Sequence, residues 1–262
     1  TKSLPKSVVS KQGILIDVDA GTILAGKDAL KRMVPASMTK IFTVLVAAEN
    51  IKPEQLDELV TISIDATDFS YSNDCSNTGY EVGEQVTVRD LFYGTILPSG
   101  ADSAVSLATY VAGSQEAFVD MMNQELEKMG LSETTHFTNC VGIYNDDHYS
   151  TPYDMAMLAR KAMSEKVIRE IVSTKSISFK QQNTATSKIN TSRYFTNTNL
   201  FLTSNDKITY RKQSIPIKYD IVDGIKTGYT DLAGRCLLSS AVKNDMRVIA
   251  AVFKSNGTNV YV

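Results

Sequence analysis

A serine and a lysine stand one helical turn apart at the start of an apolar segment, P-A-S-M-T-K-I-F-T-V-L-V-A-A (35–48). On a helix, Ser37 and Lys40 would share one face, with their β-carbons about 5–6 Å apart. A lysine beside an apolar helix face loses hydration, which lowers the pKa of its amine and favours the neutral form. A neutral amine can accept a proton from a neighbouring hydroxyl, so the pair could act as nucleophile and base.

The histidine content favours this kind of pair. Only two histidines are present, His136 and His148, which leaves few candidates for a Ser-His-Asp triad. The S-x-x-K spacing alone has another interpretation, because Ser37 could be a helix cap while Lys40 is solvated. The remaining motifs of the chain decide between the two interpretations.

Two further motifs carry complementary groups. In P-S-G-A-D (98–102), Ser99 precedes a predicted helix and could be a reactive hydroxyl or a simple cap. In D-G-I-K-T-G-Y-T (223–230), Lys226 and Thr227 supply a cation and a hydroxyl, and Gly228 lets a ligand approach the backbone closely. The order S-x-x-K, S-G-x, K-T-G is the signature set of penicillin-binding proteins and class A β-lactamases.

Periodicity and turn residues predict the elements that position these groups. Helices are predicted where apolar residues recur at helical spacing between start and stop signals: 37–50, 87–93, 101–112, 114–129 and one beginning at Thr151-Pro152. Strands are predicted where turn residues separate apolar runs: a hairpin over 13–26, and 235–242 and 246–253. The polar segment 181–214 is expected to hold short strands and loops. Strands at both chain ends predict one sheet beside a helical region, an α+β or three-layer arrangement.

Bulk properties exclude several other classes. The net charge of −2 does not favour nucleic acid or an acidic membrane as the main partner. No apolar run approaches the roughly 20 residues of a membrane span. The three cysteines, Cys75, Cys140 and Cys236, lack the C-x-x-C spacing of zinc and thioredoxin-type sites, so scattered thiols or one incidental disulfide are expected.

The chain resembles the low-molecular-mass penicillin-binding proteins, the serine-type D-alanyl-D-alanine carboxypeptidases. The resemblance runs through nearly all of residues 1–262 and is carried by specific strings: I-L-I-D-V-D-A-G-T-I-L-A (14–25), P-A-S-M-T-K (35–40), L-P-S-G-A-D (97–102), T-H-F-T-N-C-V-G (135–142) and V-D-G-I-K-T-G-Y-T (222–230). It implies the transpeptidase fold shared with β-lactamases: a five-stranded antiparallel sheet from both chain ends, flanking helices and a helical subdomain.

The resemblance also implies a reaction. Ser37 would attack the carbonyl between the two terminal D-alanines of a peptidoglycan stem peptide, and water would hydrolyse the acyl-enzyme. Lys40 would be the base, and Ser99 would relay a proton to the leaving amine. Lys226 and Thr227 would hold the terminal carboxylate, and the backbone N–H groups of Ser37 and Tyr229, beside Gly228, would form the oxyanion hole. β-Lactams would acylate the same serine, and neither a metal nor an organic cofactor is implied.

Position 101 departs from this family pattern. The second motif is normally Ser-x-Asn, but residue 101 is Ala, which offers no amide to the base lysine or to the substrate. The neighbouring Asp102 would point about 100° away on a helix and is not expected to substitute. We therefore expect a weakened site, with a rate loss of roughly 10²–10³. A penicillin-binding module without efficient turnover, a cross-linking transpeptidase and, less favoured, a β-lactamase remain alternatives.

The family usually continues beyond the last strand with a helix packed on the sheet, a β-rich domain and a membrane-anchoring tail. None of these is in the sequence, so residues 1–262 are expected to form one penicillin-binding domain whose membrane association depends on parts outside this chain. Apolar positions in 246–253 are expected to lack a cover on one face. The basic residue that some relatives supply beyond the last strand cannot be assigned in this sequence. Because the stem peptides lie outside the cytoplasmic membrane, an extracytoplasmic location is expected.

Overall fold

The main sheet of the computed structural model, which describes residues 2–180, 192–255 and 260–261, is built from both chain ends. The strands are β1 (Lys2–Ser3), β2 (Gln12–Asp17), β3 (Ile23–Lys27), β4 (Leu59–Thr61), β5 (Gln85–Thr87), β6 (Ser176–Lys180), β7 (Ser192–Thr196), β8 (Lys207–Tyr210), β9 (Gln213–Pro216), β10 (Val222–Thr230), β11 (Gly234–Lys243) and β12 (Met246–Ser255). The helices are α1 (Thr39–Asn50), α2 (Ile64–Ser72), α3 (Val88–Ile96), α4 (Ala101–Ala112), α5 (Gln115–Lys128), α6 (Pro152–Ala162), α7 (Lys166–Ser173) and α8 (Leu200–Thr203), with 3₁₀ turns at Ala36–Met38 and Pro53–Asp57.

The sheet has the order β1-β3-β2-β12-β11-β10. The five strands from β3 to β10 pair antiparallel, which confirms the predicted five-stranded sheet. The two-residue β1 adds a sixth, parallel strand beside β3 that the sequence did not indicate. The turn between β11 and β12 places Asn244 and Asp245 at positive φ, the conformation that tight hairpin turns favour.

Helices cover one face of this sheet. α6 packs against β12 and β2, α7 packs against β10, and α1 lies among α3, α4, α5, α6 and α7. Every residue of α1 from Thr39 to Ala47 is buried, so this helix forms the centre of the core. The 101–112, 114–129 and 151-onward predictions are confirmed, with Ser114 and Thr151 acting as caps whose hydroxyls accept from Ala117 N and Asp154 N.

The opposite face of the sheet is only partly covered. On β12, Ile249, Ala251 and Phe253 are buried, whereas Val248, Ala250 and Val252 are half-buried, as expected for the 246–253 segment. Of the predicted polar segment, the described part contains β7 to β9 and α8, and 181–191 lies outside the described residues. Among the described helices, none is both long and apolar enough to span a membrane.

Candidate active site

Ser37 lies in the 3₁₀ turn Ala36–Met38, directly before α1. The sequence predicted a helix over 37–50 with Ser37 at its start, and this is wrong in detail, because α1 begins at Thr39. The alternative interpretation of Ser37 as a helix cap is not supported either, because Ser37 makes no capping bond. Ala36 has a φ of 49°, in the left-handed region that non-glycine residues rarely adopt. Strained backbone of this kind is frequent at functional sites and persists only where the surroundings fix it.

The backbone at Gly142 supports this turn. A β-carbon at Gly142 would come within 1.9 Å of the Ala36 carbonyl oxygen and 2.9 Å of Ser37 N, and its φ is +97°. The loop is held by the Asn139 side-chain oxygen, which accepts hydrogen bonds from the N–H groups of Val141, Gly142 and Ile143. Only glycine fits this close approach, so Gly142 is a site residue that the sequence reasoning did not single out.

Lys40 stands beside the serine. Its Nζ is 3.1 Å from Ser37 Oγ and donates to the Val141 carbonyl at 3.0 Å. The side chain is only 2% exposed, and this burial lowers the pKa of Lys40 to about 8. An appreciable fraction of the amine is therefore neutral near pH 7, as a base for the Ser37 hydroxyl requires.

Lys226 and Ser99 form a second pair. Lys226 Nζ donates to Ser99 Oγ at 3.1 Å and to the Thr227 carbonyl at 2.8 Å. Burial, with the nearby charge of Lys40 as a smaller cause, lowers the pKa of Lys226 well below its usual value. Ser99 lies between α3 and α4 at a φ of 61°, a second strained position in the same site.

The K-T-G strand passes directly over the serine turn. A β-carbon on Gly228 would lie 3.3 Å from the sulfur of Met38 and 3.5 Å from its backbone nitrogen. Thr227 Oγ1 is 2.6 Å from Thr198 Oγ1, and the Thr198 N–H donates to the Leu97 carbonyl beside the Ser99 loop. Thr198 is a second residue that the sequence did not single out, because a threonine within a long polar segment gives no signal.

These groups line one open cavity of about 380 Å³. Five of the seven residues predicted from the motifs line this cavity: Ser37, Ser99, Thr227, Gly228 and Tyr229. The other two, Lys40 and Lys226, are buried beneath its surface, and their amines contact Ser37 and Ser99. The cavity is lined by Ser37, Ser76, Pro98, Ser99, Thr198, Leu200, Thr227, Gly228, Tyr229, Arg235, Cys236, Val260 and Tyr261.

Neither Ala101 nor Asp102 replaces the amide of the usual motif. Ala101 is fully buried, and its N–H donates to the Ser76 carbonyl at 2.8 Å. The Asp102 carboxylate accepts from the N–H of Thr78 at 2.9 Å and from its hydroxyl at 2.6 Å. Asp102 therefore fixes the neighbouring loop.

Both histidines make structural contacts. His148 Nε2 is 2.9 Å from Thr39 Oγ1, and its Nδ1 accepts from Thr138 N at 3.0 Å. His136 Nδ1 lies 2.6 Å from the Asp147 carbonyl. In the part of the chain that the structure describes, no hydrogen bond joins either histidine to Ser37, the three cysteines are free thiols, and no cluster of three His, Cys, Asp or Glu side chains could hold a metal ion.

Protonation of His148 should limit stability in acid. Burial, with a smaller contribution from His136, lowers its pKa to about 3. As pH falls below 6.5, His148 becomes protonated in the unfolded chain but stays neutral in the folded chain, so the free energy of unfolding decreases. At pH 5 the loss is about 2 kcal/mol. Urea unfolding at pH 7 and pH 5 measures this loss for wild type and for His148→Asn. Between the two pH values, the variant should lose about 2 kcal/mol less unfolding free energy than wild type. Equal losses would contradict the role given to His148.

Known proteins resemble this chain in sequence and in structure. A family model described as D-alanyl-D-alanine carboxypeptidase matches residues 1–257. The carboxypeptidase DacF of Bacillus subtilis is 33% identical over 244 residues, covering 93% of this chain and 57% of the relative. The D-alanyl-D-alanine carboxypeptidase of Streptomyces sp. strain K15 is 35% identical over 257 residues, covering 95% and 82%.

The crystal structure of the Streptomyces K15 DD-transpeptidase superposes with a TM-score of 0.86 at 32% identity, covering 100% of this chain and 94% of that one. The match confirms the predicted penicillin-binding-protein fold. The chain spans little more than half the length of several curated relatives, 57% of DacF of Bacillus subtilis and 56% of DacC of Escherichia coli. From the match over nearly its whole length, the chain belongs to the D-alanyl-D-alanine carboxypeptidase family.

Proposed function

We propose that this chain removes the terminal D-alanine from peptidoglycan stem peptides through an acyl-enzyme on Ser37. The observation that carries the proposal is the 3.1 Å contact between Ser37 Oγ and the buried amine of Lys40, in one site with Lys226 and Thr227. A nucleophile, a base of lowered pKa and a cation for a carboxylate are the groups that this reaction needs.

Acylation begins when the neutral Lys40 amine takes the proton of Ser37. The serine oxygen attacks the carbonyl carbon between the two D-alanines, and negative charge develops on the carbonyl oxygen. Backbone N–H groups of Ser37 and Tyr229 are assigned to stabilise that oxyanion. Gly228 supports this assignment, because without a side chain the strand lies in contact with Met38, one residue after the nucleophile.

The terminal carboxylate is assigned to Lys226 and Thr227. A carboxylate beside Lys226 favours the protonated form of that lysine, since opposite charges stabilise each other. A charged Lys226 in turn disfavours a second charge on the neighbouring Lys40, which supplies the neutral base. Substrate binding thus favours a protonated Lys226, which binds the carboxylate, and a neutral Lys40, which accepts the proton of Ser37.

The leaving amine takes the proton that Lys40 accepted, relayed through Ser99. Lys226 donates a hydrogen bond to the hydroxyl of Ser99, so the same lysine that binds the carboxylate also positions the proton relay. The C–N bond breaks, D-alanine leaves, and water hydrolyses the ester to release the shortened peptide and regenerate Ser37. β-Lactams would acylate the same oxygen.

The proposed substrate fixes the proposed place of action. Stem peptides ending in D-Ala-D-Ala lie on the outer side of the cytoplasmic membrane, so residues 1–262 would act there as one penicillin-binding domain. Any membrane association would come from segments outside this chain. The net charge of −2 gives no support to nucleic acid as a partner.

The test is release of D-alanine from diacetyl-L-Lys-D-Ala-D-Ala by wild type and by Ser37→Ala. We expect release by wild type and none by the variant. An added amine acceptor tests the transpeptidase alternative, which the name of the Streptomyces K15 DD-transpeptidase favours. A peptide–amine product would move the assignment to that reaction, and penicillin turnover within seconds would move it to a β-lactamase.

Restoring an amide at position 101 should raise turnover. Ala101→Asn places a donor and an acceptor at the position where the family pattern has them, and we expect D-alanine release to increase by roughly 10²-fold. Ala101→Leu, of similar size but without hydrogen-bonding groups, is the matched control. If wild type releases no D-alanine and only Ala101→Asn does, the natural chain is the binding module instead; if neither substitution changes the rate, position 101 is irrelevant to catalysis.

A further inference from the structure

The loop that follows α2 reaches the cavity beside the start of α4. The Ser76 carbonyl accepts the N–H of Ala101 at 2.8 Å, so this loop is docked on the first residue of α4. Ser76 is exposed and lines the cavity together with Ser37, whereas Ala101 is fully buried. Next to position 101, the cavity wall therefore carries a serine hydroxyl.

Several contacts fix this loop in place. The buried Asp102 carboxylate accepts from the N–H of Thr78 at 2.9 Å and from its hydroxyl at 2.6 Å. Arg193 of β7 donates to the Thr78 carbonyl at 3.1 Å. A β-carbon on Gly100 would lie 2.5 Å from the methyl group of Thr78, so the loop also touches the turn before α4. Contacts from α4 and β7 thus position Ser76 before any substrate binds, which lowers the entropic cost of a contact with it.

The same loop lies near the base lysine. Burial raises the pKa of the Cys75 thiol, and the nearby charge of Lys40 opposes that rise. Within residues 2–180, 192–255 and 260–261, the hydroxyl of the next residue, Ser76, has no hydrogen-bond partner. This hydroxyl can therefore donate to a bound substrate without giving up an existing bond in the described structure.

An extended substrate would present a carbonyl group to this side of the cavity. β10 is the edge strand of the main sheet, and Thr227 and Gly228 line the cavity, so one edge of an extended peptide can lie along it. The carbonyl groups of an extended chain alternate between its two edges, so the next one points away from β10. The family pattern places an asparagine amide on that side, where this chain has Ala101. A carbonyl that leaves water without gaining a donor weakens binding.

We propose that Ser76 is a substrate-binding residue whose hydroxyl donates to the backbone carbonyl of the residue before the penultimate D-alanine. It replaces the contact of the amide that is missing at position 101. This inference rests on the proposed function for the stem peptide as substrate. It adds a hydrogen bond beside α4 to the carboxylate contacts assigned to β10.

The experiment follows acylation of Ser37 by two penicillins, measured by intact mass. Benzylpenicillin carries an amide carbonyl that corresponds to this peptide carbonyl, and 6-aminopenicillanic acid lacks it. For Ser76→Ala we expect acylation by benzylpenicillin to slow by about 3–10-fold, as for one neutral hydrogen bond, and acylation by 6-aminopenicillanic acid to change by less than about 2-fold. Ser76→Thr keeps the hydroxyl and should recover most of the rate. Ser72→Ala, at an exposed serine that ends α2, is the matched control and should leave both rates unchanged.

Equal slowing with both penicillins, or an unchanged rate with benzylpenicillin, overturns the inference. A wild type that forms adducts but releases no D-alanine overturns the proposed function alone, and the Ser76 difference between the two penicillins then still supports this inference. A wild type that forms no adduct overturns both.

Ala101→Asn gives a second readout, because an amide there would bind the same carbonyl. In that background Ser76→Ala should slow acylation by benzylpenicillin by less than about 2-fold, since two groups that serve one contact are not additive. An undiminished effect of Ser76→Ala would show that the two positions bind different groups, and Ser76 would then not replace the missing amide.

Discussion

Replacing Lys40 with methionine is expected to slow acylation of Ser37 by about 10²–10⁴-fold, the usual contribution of a positioned general base. The thioether fills most of the space of the lysine side chain but cannot accept the serine proton. Benzylpenicillin acylation, followed by intact mass, measures this directly. Lys40→Arg should be equally slow, because a guanidinium keeps the charge but does not give up its proton near neutral pH.

The same substitution should make the fold more stable. Burial lowers the Lys40 pKa from 10.5 to about 8, so below pH 8 the charged amine costs the folded state about 3 kcal/mol. The cost disappears as pH rises from about 8 to 10.5, because the folded chain then loses its proton before the unfolded chain does. Urea unfolding at pH 7 should therefore show Lys40→Met above wild type. A variant that is both slower and less stable would point to structural damage, and one that acylates within 10-fold of wild type would remove Lys40 from its assigned role.

Gly142→Ala is expected to abolish acylation and to destabilise the protein by several kcal/mol. The new methyl group would meet the Ala36 carbonyl oxygen at 1.9 Å and Ser37 N at 2.9 Å, so the serine turn must move. The φ of +97° at position 142 adds backbone strain for any residue with a side chain. Unfolding free energy and penicillin acylation measure the two effects separately.

Gly130→Ala provides the matched control for that experiment. Gly130 also has a positive φ, +71°, but a β-carbon there would have no neighbour within 4 Å. It should cost only the left-handed strain, about 1–2 kcal/mol, and leave acylation unchanged. Equal effects of the two substitutions would show that backbone strain alone, and not contact with the serine turn, explains the result at Gly142.

The sequence predicted which residues form this site better than it predicted how their backbone is arranged. S-x-x-K, S-G-x and K-T-G identify Ser37, Lys40 and Lys226 because the three motifs occur together in one chain, in the order of a known signature set. The same reasoning placed Ser37 in the α-helix, whereas it lies in a 3₁₀ turn held by Gly142, more than a hundred residues further along the chain. Long-range backbone contacts of this kind leave no local periodicity, so they could not be predicted.

Residues contributed by other elements were missed for a related reason. Thr198 reaches the site through its contact with Thr227, and Arg235 reaches it through the β10–β11 register. Neither belongs to a motif, and their relevance depends on pairing that only the folded sheet defines. Ala101, in contrast, was visible from the sequence as a departure from a pattern. The structure does not place Asp102 in the role of the missing amide, because its carboxylate binds Thr78.

The most direct test of the account is the rate of benzylpenicillin adduct formation between pH 6 and 9, measured by intact mass on wild type and Ser37→Ala. We expect one adduct on wild type, forming up to about tenfold faster per pH unit below the Lys40 pKa of about 8 and levelling off above it. Ser37→Ala should gain no adduct at any pH. An adduct on Ser37→Ala, or a wild-type rate that does not change across this range, would contradict a serine activated by the buried lysine beside it.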